Sequence, residues 1–381
     1  KQEMLEIDWN EVFDSTEVDM MWTNMVEKIR KLEDKYIPIR RVSVKKKSRN
    51  QFPLTATTRN LIKEKNKLAK KLCHGRNFEL RKQYNRTRNR VKKEVEKERK
   101  EFEKRIALEA KTKPKTIWNY IKSKSKTKIA IEELHTDPKD TNSPLIKNDK
   151  AKADILSSFF SSVFSKEDGS EVPNMEQAEI EIEMPRIEIS ETEVADVLKK
   201  LKTDKSPGPD NLHPKMLTKI ADELSTPLAV LFNQSLRTGK VPEAWKEARV
   251  CPIYKKGSKR LANHYRPVSL TAIIGKVMEK IVRNYIMTHL LLNKILNPNQ
   301  YGFLPGKSLA IQLLKLLESW TDLLEKGESI DCIYLDFCKA FDKVPHKRLL
   351  KKVEAYGFNT ETTKWIKNFL SGRKQRVAIN E

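Results

Sequence analysis

The feature that most constrains the fold is one long, strongly basic stretch. Between Arg41 and Lys128 the sequence holds 31 basic and 8 acidic residues, a net charge of +23 out of +24 for the whole chain. Apolar residues in the later part of this stretch recur with gaps of seven and four: Tyr84, Val91, Val95, Phe102 and Ile106. This thin stripe predicts basic helices, separated at Gly75, that pack along one face against a partner surface or as a plain coiled coil.

The remaining charge is divided between acidic regions and a second basic region. Residues 1–40 carry −4, residues 131–200 carry −9, and the residues from 201 onward carry +14. Phosphate backbones are the commonest partners of such basic regions, because each neutralised phosphate releases condensed counterions. Solvated helix faces are the alternative explanation. Hydrophobic residues make up 38% and charged residues 34%, which indicates a globular part joined to a highly solvated part.

Cysteine usage and hydropathy indicate a reducing compartment. The four cysteines lack C-x-x-C spacing, which argues against a disulfide framework and a zinc site. The sequence has neither an apolar run of about 18 residues nor a signal peptide. We therefore expect an intracellular protein, nuclear or cytoplasmic, without membrane contact, and VKKKSRN is a candidate nuclear address. Lys1 is not an initiator Met and no stop signal follows RKQRVAIN, so we expect a piece of a longer protein.

The second half of the chain has the patterns of an ordered domain. Residues Leu156 to Phe164 predict a short helix with a buried aromatic face, and Ser165 to Pro185 predict an acidic loop. Ser190 and Glu193 form an S-x-x-E capping box that begins the next helix. Beyond it, strands such as ARVCPIY and SIDCIYLDF alternate with helical runs, which predicts an α/β or α+β domain.

These patterns predict three regions. Residues 1–130 form a basic helical spacer or nucleic-acid-binding extension, residues 131–189 an acidic linker with a short helix, and residues 190–381 the ordered domain. Within the extension, Pro114 ends the basic helices, and KSKSKTK, from Lys122 to Lys128, predicts a flexible linker.

A carboxylate at the end of an apolar run is the first candidate for chemistry. In CIYLDFCKAFDKVPH, from Cys332 to His346, we expect a buried strand that delivers Asp336 at its end. Magnesium prefers hard oxygen ligands and usually takes one or two carboxylates together with substrate phosphates, so Asp336 is a natural half-site. The alternative is a helix cap, since aspartate at a strand-to-helix junction commonly serves as one.

A basic hairpin upstream is the second candidate. The segment CPIYKKGSKRLANHYRPVSLT predicts a strand, a turn with Lys255 and Lys256, and a returning strand with Arg266. Lysine supplies a point charge and arginine a planar fork, and both suit a triphosphate. An ordinary solvated turn is the alternative. The segment GFLPGKS imitates a phosphate-binding P-loop, but it is one residue short and Pro305 removes a backbone N–H donor, which excludes that function.

Four motifs in collinear order carry a family resemblance: KSPGPDNLHPKML, PIYKKG…YRPVSLT, NQYGFLPGKS and YLDFCKAFDKV. In order and spacing they resemble the reverse transcriptases of LINE-type (non-LTR) retrotransposons, and most closely the jockey-like ones. The resemblance covers about half of the chain, and the region upstream is similar to the spacer of such elements. It implies an α+β right-hand polymerase domain, with fingers and the start of the palm, within residues 190–381.

The resemblance assigns roles to the matching positions. It makes Asp336 the first catalytic carboxylate and a Mg²⁺ ligand, with Phe337 beside the nucleotide and Phe341 as the gate against a ribose 2′-OH. Lys255, Lys256 and Arg266 would hold the phosphates of the nucleotide. Gly302, Gly306 and Lys307 would lie near the template, although Leu304 replaces the arginine that the family usually has in this motif.

The implied reaction is attack of a primer 3′-OH on a deoxynucleoside triphosphate, copying an RNA template, with two Mg²⁺ ions. The family supplies its other carboxylates from a Tyr/Phe-Ala-Asp-Asp hairpin, which the 381 residues do not contain. We therefore expect RNA and DNA binding but no polymerisation by these residues alone. Two alternatives stay open: a nucleic-acid-binding module that has lost catalysis, and an interaction protein whose basic coiled helices bind an acidic partner.

Overall fold

A computed structural model of the chain describes residues 1–38, 52–73, 77–112, 114–124, 131–167 and 171–379. The chain divides into two compact units. Unit 1 comprises Lys1–Pro38 and Ile131–Glu381, and unit 2 comprises Ile39–Ala130. The predicted nuclear address lies outside the described residues, as does Gly75.

The helices of the described residues are α1 Gln2–Leu5, α2 Trp9–Val12, α3 Val18–Tyr36, α4 Ala56–Leu72, α5 Phe78–Glu109, α6 Pro114–Lys124, α7 Asp149–Ser162, α8 Glu191–Lys199, α9 Pro214–Lys219, α10 Ala221–Thr238, α11 Glu243–Lys246, α12 Ile273–Leu292, α13 Leu309–Glu325, α14 His346–Ala355 and α15 Thr360–Leu370. The strands are β1 Leu134–His135, β2 Leu145–Ile146, β3 Glu247–Tyr254, β4 Tyr265–Leu270 and β5 Lys374–Val377. A 3₁₀ turn spans Ala262–His264.

Unit 2 is a helical hairpin of α4 and α5 with α6 against it. The apolar residues predicted to share one face of α5 form its contact face, since Val91 and Ile106 are buried. Phe102 lies between two aromatic rings, stacked 6.1 Å from Phe52 and edge-on 6.0 Å from Tyr120. This apolar face therefore packs within the unit, as a coiled pair would. The predicted linker from Lys122 is wrong in its first three residues, which belong to α6, and the rest lies outside the described residues.

The predicted extension over 1–130 divides at Pro38, because the first helices are part of the core of unit 1. Met21, Trp22, Met25 and Ile29 lie on one face of α3 and are buried against α10. The Trp22 and Trp245 rings meet edge-on at 5.3 Å. The three-region prediction placed this acidic segment with the basic helices, but its apolar face packs into the core of unit 1 instead.

The main core of unit 1 is built from α3, α8, α10, α12 and α15. The predicted capping box is confirmed: the Ser190 hydroxyl accepts from the Glu193 N–H, and the Glu193 carboxylate accepts from the Ser190 N–H. The predicted acidic loop has no helix or strand among its described residues, yet Met184 is buried in this core. Residues 131–189 are thus more than a linker.

The second core of unit 1 lies under a three-stranded sheet with the order β4-β3-β5. β3 pairs antiparallel with β4 and parallel with β5. Leu156 and Phe160 of α7 pack beneath Val250 of β3, as the predicted aromatic face requires. The helix ends at Ser162, however, so Phe164 lies beyond it and is 47% exposed.

One predicted strand is wrong. SIDCIYLDF forms neither helix nor strand, and Ile333 and Leu335 are 86% and 87% exposed. A strand requires a hydrogen-bonded neighbour, and among the described residues the three-stranded sheet offers this segment none. The predicted helix before it is confirmed as α13, but none of its residues is buried. The segment SIDCIYLDF and helix α13 are therefore both apolar and exposed.

Mixed helices and strands make unit 1 an α+β structure. In the ranges that the structure describes, each helix is too short or too polar to span a bilayer.

The N-terminal helix can be tested with two methionines of α3. We expect Met25→Ala to lower the free energy of unfolding by about 2 to 4 kcal/mol, because Met25 is 0% exposed and its truncation leaves a cavity. Met20→Ala is the matched control, since Met20 is 48% exposed and should change the value by less than about 0.5 kcal/mol. Urea unfolding checks both, and equal effects would show that α3 is not part of the core.

Candidate nucleotide-binding site

The predicted basic hairpin is present as β3 and β4. Ile253 lies opposite Arg266, and Tyr254 lies opposite Tyr265. Because side chains alternate across a strand, Val250 and Tyr265 face the buried core while Arg266 faces outward and is exposed. The register therefore presents the arginine on the open face of the sheet.

Hydrogen bonds within the turn hold its backbone in place. The Tyr254 hydroxyl donates to the Gly257 carbonyl at 2.6 Å, and the Tyr265 hydroxyl donates to the Lys259 carbonyl at 2.6 Å. Burial raises the pKa of Tyr265 to about 12, so its hydroxyl keeps the proton that it donates. Gly257 has φ +90°, and a Cβ there would lie 2.6 Å from the His264 ring. Glycine is required at this position.

The cations of the turn differ in their partners. Lys259 lies 3.7 Å from the Glu132 carboxylate and 5.7 Å from the centre of the Tyr254 ring. Lys255 and Lys256 are exposed, and among the described residues no acid lies within ion-pair distance of them or of Arg266. These three cations are therefore available to an anion, whereas Lys259 stabilises the turn.

The base of the hairpin contacts the first of the four motifs. Gly208, in KSPGPDN, lies so close to the strand end that a Cβ would be 2.4 Å from the Thr271 carbonyl oxygen. Next to it, Asp210 accepts from the Leu212 N–H at 3.3 Å with one carboxylate oxygen. The other oxygen is buried without a hydrogen-bond partner among the described residues. Two motifs far apart in sequence thus meet at one point.

A group of partly buried charges surrounds this point. Burial raises the pKa of Asp210 to about 6, against the opposing charges of Arg30 and Lys276. Burial also lowers the pKa of Lys276 and raises that of Glu279, and Arg373 opposes the latter shift. Burial is thus the first cause of the pKa shift of each of these three groups, and opposite charges reduce it.

The third motif is a loop that folds upon itself. The Lys307 ammonium donates to the Pro298 carbonyl at 2.6 Å and lies 4.9 Å from the centre of the Tyr301 ring. Gly306 has φ +73°, and a Cβ on Gly302 would meet nothing within 4 Å. The predicted template residues are exposed or partly exposed, but Lys307 is already engaged within its own loop.

The fourth motif contains Asp336, which the structure places in the exposed segment described above and not at a buried strand end. The predicted burial is therefore wrong, and no contact joins Asp336 to the hairpin cations among the described residues. Phe337 and Phe341 are each 82% exposed. Phe341 meets Phe303 of the third motif edge-on at 5.9 Å, so these two motifs are in contact.

The end of this segment is anchored beside the second core. The Lys339 ammonium lies 4.2 Å from the centre of the Phe159 ring in α7, the helix that packs under the hairpin. The Ser165 hydroxyl donates to the Lys343 carbonyl at 2.9 Å. Residues 339 and 343 therefore contact α7, which supports the sheet, and the segment that follows α7.

The donors for a metal are incomplete in the described part of the chain. It contains no group of three or more His, Cys, Asp or Glu residues placed to hold a metal ion. Asp336 supplies one hard oxygen ligand, whereas a two-metal site needs several carboxylates. The described residues alone do not form the magnesium site that the sequence resemblance implies.

Comparison with known proteins shows what the chain is similar to. Residues 253–381 match the family described as reverse transcriptase (RNA-dependent DNA polymerase). The RNA-directed DNA polymerase from mobile element jockey of Drosophila funebris is 31% identical over 205 residues, which are 54% of this chain and 22% of that protein. The chain is therefore similar to the RNA-directed DNA polymerases of jockey-like mobile elements, and the family match lies in its last third.

Two further relatives are also named as probable RNA-directed DNA polymerases. The probable RNA-directed DNA polymerase from transposon BS of Drosophila melanogaster is 26% identical over 242 residues, 62% of this chain and 27% of that protein. The one from transposon X-element of the same species is 24% identical over 254 residues, 63% of this chain and 27% of that protein. The chain thus spans only about a quarter of the length of these relatives.

Sequence reasoning missed the residues that support the hairpin. Tyr265 and Gly257 hold the turn, and Gly208 permits the close contact at its base. The alternation of the β4 strand would have placed Tyr265 inward, opposite in direction to Arg266. The contact between Gly208 and Thr271 has no such signal, because nothing local to either residue predicts it.

The close contact at Gly208 predicts a steric effect. We expect Gly208→Ala to lower the free energy of unfolding by about 1 to 3 kcal/mol, because the added methyl group collides with backbone at Thr271. Gly302→Ala is the matched control, since it has open space and no positive φ, and it should be nearly neutral. Thermal or urea unfolding measures the free energy of unfolding of both variants. An unchanged value in Gly208→Ala would contradict the close contact at Thr271.

The buried carboxyl of Asp210 predicts a pH effect. Its pKa is higher in the folded chain, at about 6, than the value of about 4 expected when unfolded. The folded state therefore binds more protons. The free energy of unfolding should fall as the pH rises from about 4 to about 6, by at most about 3 kcal/mol. Asp210→Asn should remove this part of the slope. Urea unfolding at several pH values tests it, and identical slopes for both proteins would refute the assignment.

Proposed function

We propose that the β3–β4 hairpin holds the triphosphate of an incoming deoxynucleotide in an RNA-directed DNA polymerase. The observation that supports this most strongly is the contrast within the turn. Lys259 is paired with Glu132, while Lys255, Lys256 and Arg266 are exposed without acidic partners among the described residues. A stiff turn that leaves its cations unpaired suits an anionic ligand better than it suits folding alone.

The chemistry of the three cations matches a triphosphate. The two lysines at the turn are compact charges on flexible stems, and they can follow phosphate oxygens at different positions. Arg266 lies on β4 with its side chain on the open face of the sheet. Its planar geometry suits two oxygens of one phosphoryl group. Together they would offset the charge that develops on the leaving pyrophosphate.

The other motif residues take their roles in this proposal from the family resemblance. Asp336 would be the first catalytic carboxylate and a metal ligand, with Phe337 and Phe341 beside the nucleotide sugar. Gly302, Gly306 and Lys307 would lie near the template strand. The contact between Phe303 and Phe341 supports this assignment, because it brings the proposed template loop to the proposed sugar gate.

For the whole protein we propose RNA-directed DNA synthesis, with an RNA template, a DNA primer and deoxynucleoside triphosphates as partners. A divalent cation such as Mg²⁺ would neutralise phosphate charge when bound. Residues 190–381 would provide the fingers and the start of the palm, and the location would be nuclear or cytoplasmic. The match of residues 253–381 to the reverse transcriptase family supports the proposed polymerase activity.

A second candidate is a nucleic-acid-binding module without catalysis. The donor set favours it for the 381 residues by themselves, since Asp336 has no neighbouring carboxylate cluster in the described part of the chain. The two candidates differ in turnover but share nucleotide and nucleic-acid binding.

Nucleotide binding tests the hairpin. We expect the double variant Lys255→Gln, Lys256→Gln to bind a fluorescent deoxynucleoside triphosphate at least about tenfold more weakly, because two charge-assisted contacts are lost. Fluorescence anisotropy with the Mg²⁺ complex of the nucleotide measures this. The control is Lys215→Gln, Lys219→Gln on α9, which removes the same charge from exposed positions of unit 1. Equal losses in the two double variants would mean a diffuse charge effect and no site at the hairpin.

Primer extension tests catalysis. We expect the 381-residue chain to show no incorporation on an RNA template with a DNA primer, because one carboxylate cannot hold two metal ions. Should incorporation occur, Asp336→Ala and the nearby exposed Asp331→Ala separate a catalytic role from contamination. Activity that disappears only in Asp336→Ala would overturn the prediction of inactivity and select the polymerase over the binding module.

A further inference from the structure

We propose a nucleic-acid-binding surface on the outer face of α5, separate from the hairpin. Its ligand is the phosphate backbone of a nucleic acid, read without regard to base sequence. The choice of ligand rests on the proposed function, but the observations that place the surface come from unit 2 alone.

The first observation is the division of charge between the two units. Residues 39–130 hold 32 basic and 8 acidic residues, a net charge of +24, which equals that of the whole chain. The remaining residues hold 44 of each sign and are neutral overall. A basic field this one-sided attracts polyanions and raises their local concentration at the surface of unit 2.

The second observation is that acidic residues of α5 are engaged on its inner side. Glu98 accepts from the hydroxyls of Thr55 and Thr58 at the start of α4, the latter at 2.7 Å. These hydrogen bonds lower the pKa of Glu98, so it stays ionised. Glu103 accepts from the Tyr120 hydroxyl of α6 and pairs with Arg99 at 3.2 Å. Glu98 and Glu103 thus fasten α5 to α4 and α6.

The third observation is a regular stripe of cations along that outer side, called here the α5 stripe. Its members recur at intervals of three and four residues, which places them on one helical face, and all are exposed: Lys82, Arg86, Arg90, Lys93, Lys97, Lys100 and Lys104. Among the described residues, Lys100 alone of these has an acid within ion-pair distance, Glu96 at 3.5 Å. The stripe lies opposite the buried Val91.

The dimensions of the α5 stripe fit a phosphate backbone. From Lys82 to Lys104 the helix rises about 33 Å, which gives one cation every 5 to 6 Å. A nucleic-acid strand offers a phosphate for about every 3.4 Å of helix axis, so each cation can find a partner along an extended, regular polyanion. A compact anion would engage only one or two of the seven.

The side chains of the α5 stripe also limit what it can recognise. It contains no aromatic ring that could stack on a base, and no amide or carboxylate that could read a base edge. Contacts from lysine and arginine to phosphate position a nucleic acid but carry no sequence information. Binding should therefore be equally strong for unrelated sequences.

The test compares two triple variants of the full chain by fluorescence anisotropy with labelled 20-base-pair RNA and DNA duplexes. Arg86→Gln, Arg90→Gln, Lys93→Gln removes three consecutive members of the α5 stripe. We expect it to bind at least about tenfold more weakly, with the slope of log affinity against log salt reduced by about two to three. Glutamine is a good helix former, so α5 should persist, and circular dichroism checks this.

The matched control removes two arginines and one lysine from other exposed positions of the same helix: Arg81→Gln, Arg88→Gln, Lys92→Gln. It should bind within about twofold of the parent, because these side chains flank the contact face of α5. The variant Arg86→Lys, Arg90→Lys should also bind like the parent, since point charges suffice for phosphate. Equal losses of binding in the two triple variants, or no loss in either, would overturn the proposal that the α5 stripe binds nucleic acid.

Further arms identify the ligand. Binding of either duplex supports the proposal, and a preference between them identifies RNA or DNA as the source of the phosphates. Polyglutamate that binds as tightly as the duplexes would overturn it in favour of an acidic protein partner. Nucleotide binding at the hairpin should be unchanged in both triple variants, so failure of this proposal is distinguishable from failure of the proposed function.

Discussion

The antiparallel pairing of β3 with β4 is the interaction on which the candidate site depends. Its register turns Val250 and Tyr265 toward α7 and leaves Arg266 on the open face. A shift of one residue would bury the arginine and expose the tyrosine, which a half-buried sheet does not tolerate. The same packing that stabilises the second core thus fixes the direction in which the cations point. The turn adds rigidity through hydrogen bonds from Tyr254 and Tyr265.

Charge is organised differently in the two units. In unit 1, partly buried groups such as Asp210, Lys276 and Glu279 lie near each other at the base of the hairpin, and their pKa shifts reflect burial. In unit 2, Glu98 and Glu103 fasten α5 to its neighbouring helices, while many lysines and arginines are exposed. The first arrangement suits the small ligand proposed for the hairpin. The second suits the long polyanion proposed for the α5 stripe.

The sequence predicted the parts of this structure that depend on local patterns. The capping box at Ser190, the hairpin around Lys255 and Arg266, and helix α13 follow from spacing and turn chemistry. The helix α3 was assigned to the wrong region, because its position in the sequence does not reveal which core its apolar face joins. The contact between Gly208 and Thr271 could not be predicted, since it is set by tertiary packing alone. The buried strand before Asp336 failed because a strand exists only with a neighbour to pair with.

The hairpin is a preformed part of a folded sheet, whereas the segment with Asp336 is not a strand. Hydrogen–deuterium exchange of the full chain, resolved by residue, tests both statements at once. We expect slow exchange in the β3–β4 ladder, at amides such as Cys251 and Val268, and fast exchange from Asp331 to Phe337. Slow exchange throughout 331–337, or fast exchange in the ladder, would contradict them.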